Sequence, residues 1–316
     1  MTIDEIKKKI DKAKSILILT HKNPDGDAIG SSLAMYITLK NLKKNIEIVI
    51  PDAPLTYSFL PCYDEIKKEP SRDDFDLVIC LDCATLKLLD DRQEMFEKVD
   101  NSIEIDHHST NSMYCDVNYV DPNSPAAAQV LISIFDHFKI EITRDIGTCL
   151  ICGIITDTGG FQYQNTNEDT FEFAASLLKK GVNISDIYKK ALNTKTRTAF
   201  ELERRATERL EFFDDGKIAY TYITNKDIEE VGAITGEYEG IVDVGRTIDG
   251  VEVSIFLREQ DDGFKGSLRS NYYVNVSDVC TIFGGGGHVH AAGCFLQMPL
   301  NKAKERIIRE TEQYLK

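Results

Sequence analysis

Short, mostly apolar runs alternate with longer amphipathic stretches through the first half of the chain. Runs that are apolar on both faces and separated by helices are typical of a parallel sheet covered on two sides. The pattern predicts strands at 15–20, 46–50, 77–81 and 102–105. It predicts helices at about 27–43, 125–138, 144–156 and 167–180.

The pattern changes in the second half of the chain. A highly charged helical stretch at 196–211 is typical of a connector, and a more alternating pattern follows it. This pattern predicts strands at 218–223, 251–257, 264–269 and 294–298 and a last helix at about 300–314. We therefore predict an α/β protein in three parts. They are an N-terminal domain (1–190) with a mainly parallel sheet and helices on both faces, a helical linker (191–211), and a smaller mixed α/β domain (212–316).

Composition and charge narrow the range of partners. A net charge of -15 argues against a long nucleic acid, because proteins that bind one need a basic stripe. A short anionic substrate stays open, since divalent ions would reverse the local sign of charge. Eight cysteines without a secretory signal fit a reducing compartment, and the first apolar run is too short to span a membrane. We expect a cytoplasmic protein without a membrane partner.

Acidic and imidazole side chains follow three of the predicted strands and one predicted helix. They are His21, Asp25 and Asp27 after the first strand, Asp82 after the third, Asp106, His107 and His108 after the fourth, and Asp157 after the helix at 144–156. The carboxyl ends of parallel strands meet at one edge of a sheet, so we expect these side chains to converge. A single Asp in such a place is most often a turn or cap residue. A whole cluster of carboxylates repels itself unless cations lie between them, and mixed Asp/His sets suit Mn²⁺. The set therefore predicts a metal site.

The segments that carry these residues resemble, in order and spacing, the four motifs of the DHH phosphoesterases, named after the triplet at 106–108. The segments are HKNPDGDAIGSSLA, LDCAT, IDHHST and GIITDTGGF. The later stretch from SLRS to GGGGHVHAAG resembles the DHH-associated C-terminal domain of the same proteins. The resemblance spans nearly the whole chain. Within the superfamily it is closest to the bacterial oligoribonuclease and pAp phosphatase group, the nanoRNases.

The resemblance implies a role for each residue of the cluster. One metal ion would be held by His21, Asp25 and Asp82, and the second by Asp27, Asp82, His107 and Asp157, which makes Asp82 a bridge. Asp106 would orient His107, and His108 would face the scissile phosphate. The catalytic residues are then His108, Asp82 and Asp106, with two Mn²⁺ ions as cofactors and Mg²⁺ or Co²⁺ as substitutes.

The glycine-rich segment before His288 belongs to the second domain. Four glycines alone indicate a flexible turn, although consecutive N–H groups can also bind an anion. Arg269, a little upstream, offers a guanidinium suited to phosphate. With the resemblance, these features predict a substrate-holding domain, and His290 keeps no assigned role. The predicted substrate contacts are His108, Arg269, Ser270, Gly286, Gly287 and His288.

Together these features predict a manganese-dependent phosphodiesterase and phosphatase. It would hydrolyse very short RNA oligonucleotides (nanoRNA) to mononucleotides and dephosphorylate 3′-phosphoadenosine 5′-phosphate (pAp). A phosphodiesterase for cyclic or linear dinucleotides in the same superfamily would share every motif, so this alternative stays open. A non-catalytic nucleotide sensor would be expected to lack at least one ligand, and none is missing. The sequence is compatible with a homodimer but does not fix the oligomeric state, the direction of attack on RNA or the physiological substrate.

Overall fold

Six parallel strands form the sheet of the N-terminal half in the computed structural model, which describes residues 2–316. In chain order they are β1 (Ser15–Leu19), β2 (Asn45–Val49), β3 (Ile66–Lys67), β4 (Leu77–Leu81), β5 (Ser102–Asp106) and β6 (Val117–Val120). Their order across the sheet is β3-β2-β1-β4-β5-β6. The chain therefore builds the sheet outward in both directions from β1 and β4, and in such sheets ligands bind beyond the carboxyl ends of the strands at this point.

Helices cover both faces of this sheet, as predicted. They are α1 (Thr2–Lys12), α2 (Gly26–Asn41), α3 (Gln93–Glu97), α4 (Ala127–His137), α5 (Arg144–Asp157), α6 (Glu168–Lys179) and α7 (Ile184–Leu192). Alternate residues of β1 point to opposite faces. Ile16 and Ile18 join a large core with residues of α2, α4 and α5, whereas Leu17 and Leu19 join a smaller core with Leu89 of the 3₁₀ segment Leu86–Arg92.

Helices α2 and α5 lie so close together that glycine is required between them. A Cβ atom on Gly30 of α2 would lie 2.5 Å from the carbonyl oxygen of Cys149 and 3.0 Å from the nitrogen of Gly153. Both contacts are to backbone atoms of α5, which cannot turn aside as a side chain can. This approach carries the start of α2 and the end of α5 to the same edge of the sheet.

We expect Gly30→Ala to destabilise the protein, by about 1–3 kcal/mol for an overpacked core position. At an exposed helical site the same change would stabilise by about 1 kcal/mol, because alanine favours the helix. The sign of the change in the free energy of unfolding, measured by urea denaturation, therefore shows whether residue 30 is tightly packed or exposed. A stabilised variant would contradict the close approach of the two helices.

A second six-stranded sheet forms the C-terminal half. Its strands are β7 (Glu211–Phe213), β8 (Ile218–Ile223), β9 (Val253–Gln260), β10 (Gly263–Ser270), β11 (Gly286–His288) and β12 (Ala291–Leu296). Their order is β11-β12-β10-β9-β8-β7. β8 and β9 run parallel and the other neighbours antiparallel, which confirms the predicted smaller mixed α/β fold.

Five helices accompany the second sheet. They are α8 (Arg197–Glu208), α9 (Asn225–Val231), α10 (Ile241–Arg246), α11 (Val276–Thr281) and α12 (Leu300–Glu312). Residues of α11 and α12 fill the core on one face, and residues of α8 and α10 fill the core on the other. The chain divides into two compact units between Thr194 and Lys195, so α8 belongs to the second unit. Among residues 2–316, no helix combines the length and the apolar character needed to cross a membrane.

Candidate metal centre and substrate site

The eight acidic and imidazole residues predicted from the strand ends do come together in the first unit. Their ligand atoms form three overlapping groups in which all atoms lie within 4.8 Å of one another. The groups are His21 with Asp25 and Asp82; Asp27 with His107 and Asp157; and Asp82 with Asp106, His107 and His108. Asp157 reaches the cluster because it is the last residue of α5.

The centre of the cluster contains buried polar atoms that face each other without a hydrogen bond. His107 Nε2 lies 3.5 Å from Asp82 Oδ1, 3.3 Å from Asp157 Oδ2 and 4.0 Å from Asp27 Oδ2. Both His107 Nε2 and Asp82 Oδ1 are buried without a hydrogen-bond partner. Leaving such atoms unsatisfied is costly. Ligands about 2.1 Å from one ion lie roughly 3–4 Å apart, so the spacing fits a shared cation.

Both imidazoles of the predicted ligand set have one nitrogen held by a backbone carbonyl. His21 Nδ1 donates to the carbonyl oxygen of Lys22 at 2.8 Å, and His107 Nδ1 donates to that of Ser124 at 3.2 Å. With the proton on Nδ1, the lone pair of a neutral ring is on Nε2. His21 Nε2 lies 3.7 Å from Asp82 Oδ2. A carbonyl behind the ring is the arrangement that orients metal-bound histidines.

Asp25 and Asp27 are fixed by the first turns of two helices. Asp25 is the N-cap of α2, and its Oδ1 accepts from the backbone nitrogens of Asp27 at 3.0 Å and Ala28 at 3.1 Å. Asp27 is fully buried and accepts from the first two nitrogens of α4, at 2.5 Å from Ala127 and 2.9 Å from Ala128. Helix N-termini stabilise carboxylates. Although the two acids are only two residues apart in sequence, they are therefore anchored to different helices.

The excess of carboxylates draws protons onto the imidazoles. Burial alone would lower the pKa of His107, but the nearby carboxylates of Asp157 and Asp82 raise that pKa to about 12. For His21, burial is likewise outweighed by Asp82 and Asp25, and its pKa rises to about 9. Burial also raises the pKa of Asp157 to about 7. These shifts mark a site that requires positive charge, which divalent cations would supply.

The structure corrects the partner expected for Asp106. This fully buried carboxylate was expected to orient His107, but its Oδ1 accepts from the backbone nitrogen of His107 and from Nδ1 of His108, at 2.8 and 2.7 Å. The chain leaves β5 after Asp106, and the ring of His108 lies against the Asp106 carboxylate. The ring of His107 is held by the Ser124 carbonyl oxygen instead.

Two further residues support Asp106 and were missed in the sequence. The Asn111 amide donates to Asp106 Oδ2 at 2.5 Å and to Glu104 Oε1 at 2.7 Å. Glu104 is fully buried on β5, and this burial raises its pKa to about 8. A charged residue inside an apolar strand was the available signal for Glu104. No comparable signal existed for Asn111, which lies in a loop.

In the second unit, Arg269 and His288 share one face of the sheet. Both pair with Ala291 of β12, Arg269 from β10 on one side and His288 from β11 on the other. Directly opposed residues on neighbouring strands point to the same face. Gly286 and Gly287 form the edge strand β11 with His288, and Gly284 lies in the turn before it. At Gly287, whose φ is +151°, a Cβ atom would lie 2.5 Å from the Ala291 carbonyl oxygen, so glycine is needed for this pairing.

Ser270 does not point outward with Arg269, contrary to its predicted role in substrate binding. It is buried, and its hydroxyl donates to the Val274 carbonyl oxygen at 2.6 Å. The hydroxyl oxygen of Ser270 also accepts from His290 Nδ1 at 2.8 Å. Ser270 and His290 thus fasten the chain that follows β10 to the chain that precedes β12. This contact gives His290 a structural role that the sequence left unassigned.

Comparison with known proteins finds family models and relatives that match most of this chain. The DHH family, N-terminal domain, matches residues 15–154, and the DHHA1 domain matches residues 215–316. A bifunctional oligoribonuclease and PAP phosphatase, NrnA, from Thermus thermophilus is 34% identical over 95% of this chain and 90% of its own length. A cyclic-di-AMP phosphodiesterase, PdeA, from Listeria monocytogenes is 22% identical over 97% of this chain but only 49% of its own length.

A solved structure agrees with the fold over almost the whole chain. It is the crystal structure of an exopolyphosphatase-related protein from Bacteroides fragilis, which is 28% identical to this chain. The match has a TM-score of 0.92 and covers 99% of this chain and 96% of the other.

Proposed function

The chain belongs to the DHH family, and from this membership we propose that it hydrolyses very short RNA oligonucleotides to mononucleotides and removes the 3′-phosphate of pAp. One observation carries the proposal: buried His107 Nε2 and Asp82 Oδ1 face each other 3.5 Å apart in a ring of carboxylates, with no hydrogen-bond partner. Such a ring suits cations that act on phosphate esters. The 34% identity to an oligoribonuclease and PAP phosphatase supports this choice of substrates.

We assign two Mn²⁺ ions to the cluster. His21, Asp25 and Asp82 would hold the first, and Asp27, Asp82, His107 and Asp157 the second, with Asp82 between them. Mixed carboxylate and imidazole ligands suit Mn²⁺, and Mg²⁺ or Co²⁺ can substitute. When bound, the two ions lower the pKa of a water molecule and neutralise charge on the phosphoryl oxygens. The eight free cysteines suit a reducing compartment, and we assign the activity to the cytoplasm.

The side chains around the ligands would position the phosphate and stabilise its charge. His108 has 23% of its side chain accessible, more than the 9% of His107, so it can reach a substrate. Burial lowers its pKa, but the carboxylates of Asp106 and Asp82 raise it overall, which favours the charged ring. A charged imidazole donates a strong hydrogen bond to a phosphoryl oxygen.

The second unit carries residues suited to binding a phosphorylated substrate. Arg269 and His288 lie on the same face of its sheet, on the two strands that flank Ala291 of β12. A guanidinium binds phosphate oxygens in pairs, and an exposed edge strand of glycines lets a ligand approach the backbone closely. We assign Arg269, His288 and the backbone of Gly286 and Gly287 to substrate binding.

Activity should require added Mn²⁺ and disappear with a chelator. We would strip the protein of metal and measure initial rates with and without Mn²⁺ on RNA dinucleotides, pAp, cyclic dinucleotides and pyrophosphate. We expect turnover of the RNA dinucleotides and pAp only when Mn²⁺ is present. Full turnover by the metal-stripped protein would end the proposal of two metal ions. Preference for a cyclic dinucleotide would instead move the function to the alternative that shares every motif.

A further inference from the structure

Two consecutive backbone N–H groups just after His21 are held by residues outside the predicted ligand set. The N–H of Lys22 donates to the carbonyl oxygen of Leu88 at 2.8 Å. The N–H of Asn23 donates to Asp52 Oδ2 in a short hydrogen bond. Asp52 follows β2, the direct neighbour of β1, so the two strands bring the donor and the acceptor together.

The peptide group between Lys22 and Asn23 connects Asp52 to His21. Its N–H donates to Asp52, and its carbonyl oxygen accepts from His21 Nδ1 at 2.8 Å. A peptide group is planar, so fixing the direction of the N–H also fixes the direction of the carbonyl. A carboxylate on the N–H polarises the group and strengthens its carbonyl as an acceptor. Asp52 therefore acts on the orientation of the His21 ring without touching it.

Hydrogen bonds from two neighbouring N–H groups hold this peptide in place. Asn23 has a φ of +51°, in the left-handed region, which asparagine adopts more readily than other residues with a side chain. The hydrogen bonds from the N–H groups of Lys22 and Asn23 then fix the direction of the peptide group.

Asp52 is itself held by a buried arginine. Only 1% of the Arg92 side chain is exposed; its Nη1 lies 3.0 Å from Asp52 Oδ1, and its Nε donates to the Leu89 carbonyl oxygen at 3.0 Å. A buried guanidinium requires an opposite charge nearby. The same carboxylate thus contacts the arginine with one oxygen and the Asn23 N–H with the other.

We propose that Asp52 and Arg92 form a positioning pair that orients His21 for the first metal ion. This inference rests on the proposed two-ion function and adds residues to it that bind neither metal nor substrate. If the ion pair only stabilised the fold, its removal would change the free energy of unfolding. It would then affect both metal affinities equally or not at all. Loss of a positioning pair would weaken the site of His21 selectively, because Asp27 and His107 are held by other contacts and Asp157 is the last residue of α5.

The test is titration of the metal-stripped protein with Mn²⁺ by isothermal calorimetry. His21→Ala removes one ligand of the first site and so identifies which binding event belongs to it. Asp52→Ala should weaken that event by about tenfold or more, as partners behind metal ligands commonly do, and leave the other event nearly unchanged. Asp52→Asn keeps a neutral acceptor for the Asn23 N–H, so we expect a smaller loss.

Two further variants separate positioning from stability. Asp74→Ala removes a carboxylate that pairs with the partly exposed Arg72 in the same unit, and both binding events should stay as in the wild type. Asp52→Ala combined with Arg92→Met leaves no buried unpaired charge, so we expect the unfolding midpoint to recover while the first event stays weak.

The possible failures are distinguishable. Equal weakening of both events in Asp52→Ala, no weakening of either, or recovery of affinity together with stability in the double variant would overturn this inference alone. A wild-type protein that binds no Mn²⁺ would overturn the proposed function and the inference together.

Discussion

Asp82→Asn should abolish metal binding and hydrolysis together. Asp82 faces both imidazoles of the predicted ligand set, with Oδ2 3.7 Å from His21 Nε2 and Oδ1 3.5 Å from His107 Nε2. As the proposed bridge it serves both ions, so its loss affects both. Asparagine is the suitable replacement because Asp82 has a φ of +51°. Asparagine tolerates this region, whereas alanine would add backbone strain to the loss of the ligand.

The matched variant is His108→Ala. His108 is held by Asp106 and is assigned to the substrate, so two metal ions should stay bound. The rate should fall by ~10²–10³-fold, the usual loss for one donor that stabilises a transition state. Elemental analysis of bound metal and initial rates on an RNA dinucleotide would be measured for both proteins. Equal loss of metal in the two variants would mean that the roles of Asp82 and His108 are misassigned.

The central strands of both sheets could be predicted from the sequence, but their edges could not. The strands absent from the prediction are β3, β6, β7 and β11, which are the outermost strands of the two sheets. A central strand is buried on both faces and appears as an apolar run, as Leu77–Leu81 does. An edge strand is short and partly exposed; β11 consists of two glycines and a histidine, all exposed. Only its pairing with β12 makes it a strand.

The candidate site, too, could be predicted only where it depends on local sequence and not on contacts between distant segments. The convergence of the acidic and imidazole side chains at strand ends could be predicted because parallel strands bring their carboxyl ends together. The supporting contacts could not, because they depend on which side chains meet across the fold. Asp27 caps α4 from 100 residues away in the sequence, where the helix's own N-cap residue, Ala126, makes no side-chain cap. Arg92 and Asp52 are 40 residues apart, and nothing in either segment marks them as partners.

The rate of hydrolysis should fall steeply as the RNA becomes longer. The net charge is -15, so a long anionic strand is repelled, and affinity must come from contacts near the metal site and Arg269. Those contacts can hold one or two nucleotides and gain little from the rest of a strand. We expect RNA of about two to five nucleotides, the range that the resemblance to the nanoRNases implies, to be degraded much faster than a strand of about 24 nucleotides, which is consistent with the charge.

Initial rates against RNA length at fixed Mn²⁺ would measure this preference, at low and at high salt. Salt screens repulsion between charges, so the difference between short and long RNA should narrow as ionic strength rises. Arg269→Ala should raise KM for the dinucleotide and leave the bound metal unchanged, because we assign the residue to substrate binding and to no ion. A long strand cut as fast as a dinucleotide at low salt would contradict the prediction. A protein of this charge would then need a binding track for the RNA backbone, and it would act as a processive exonuclease.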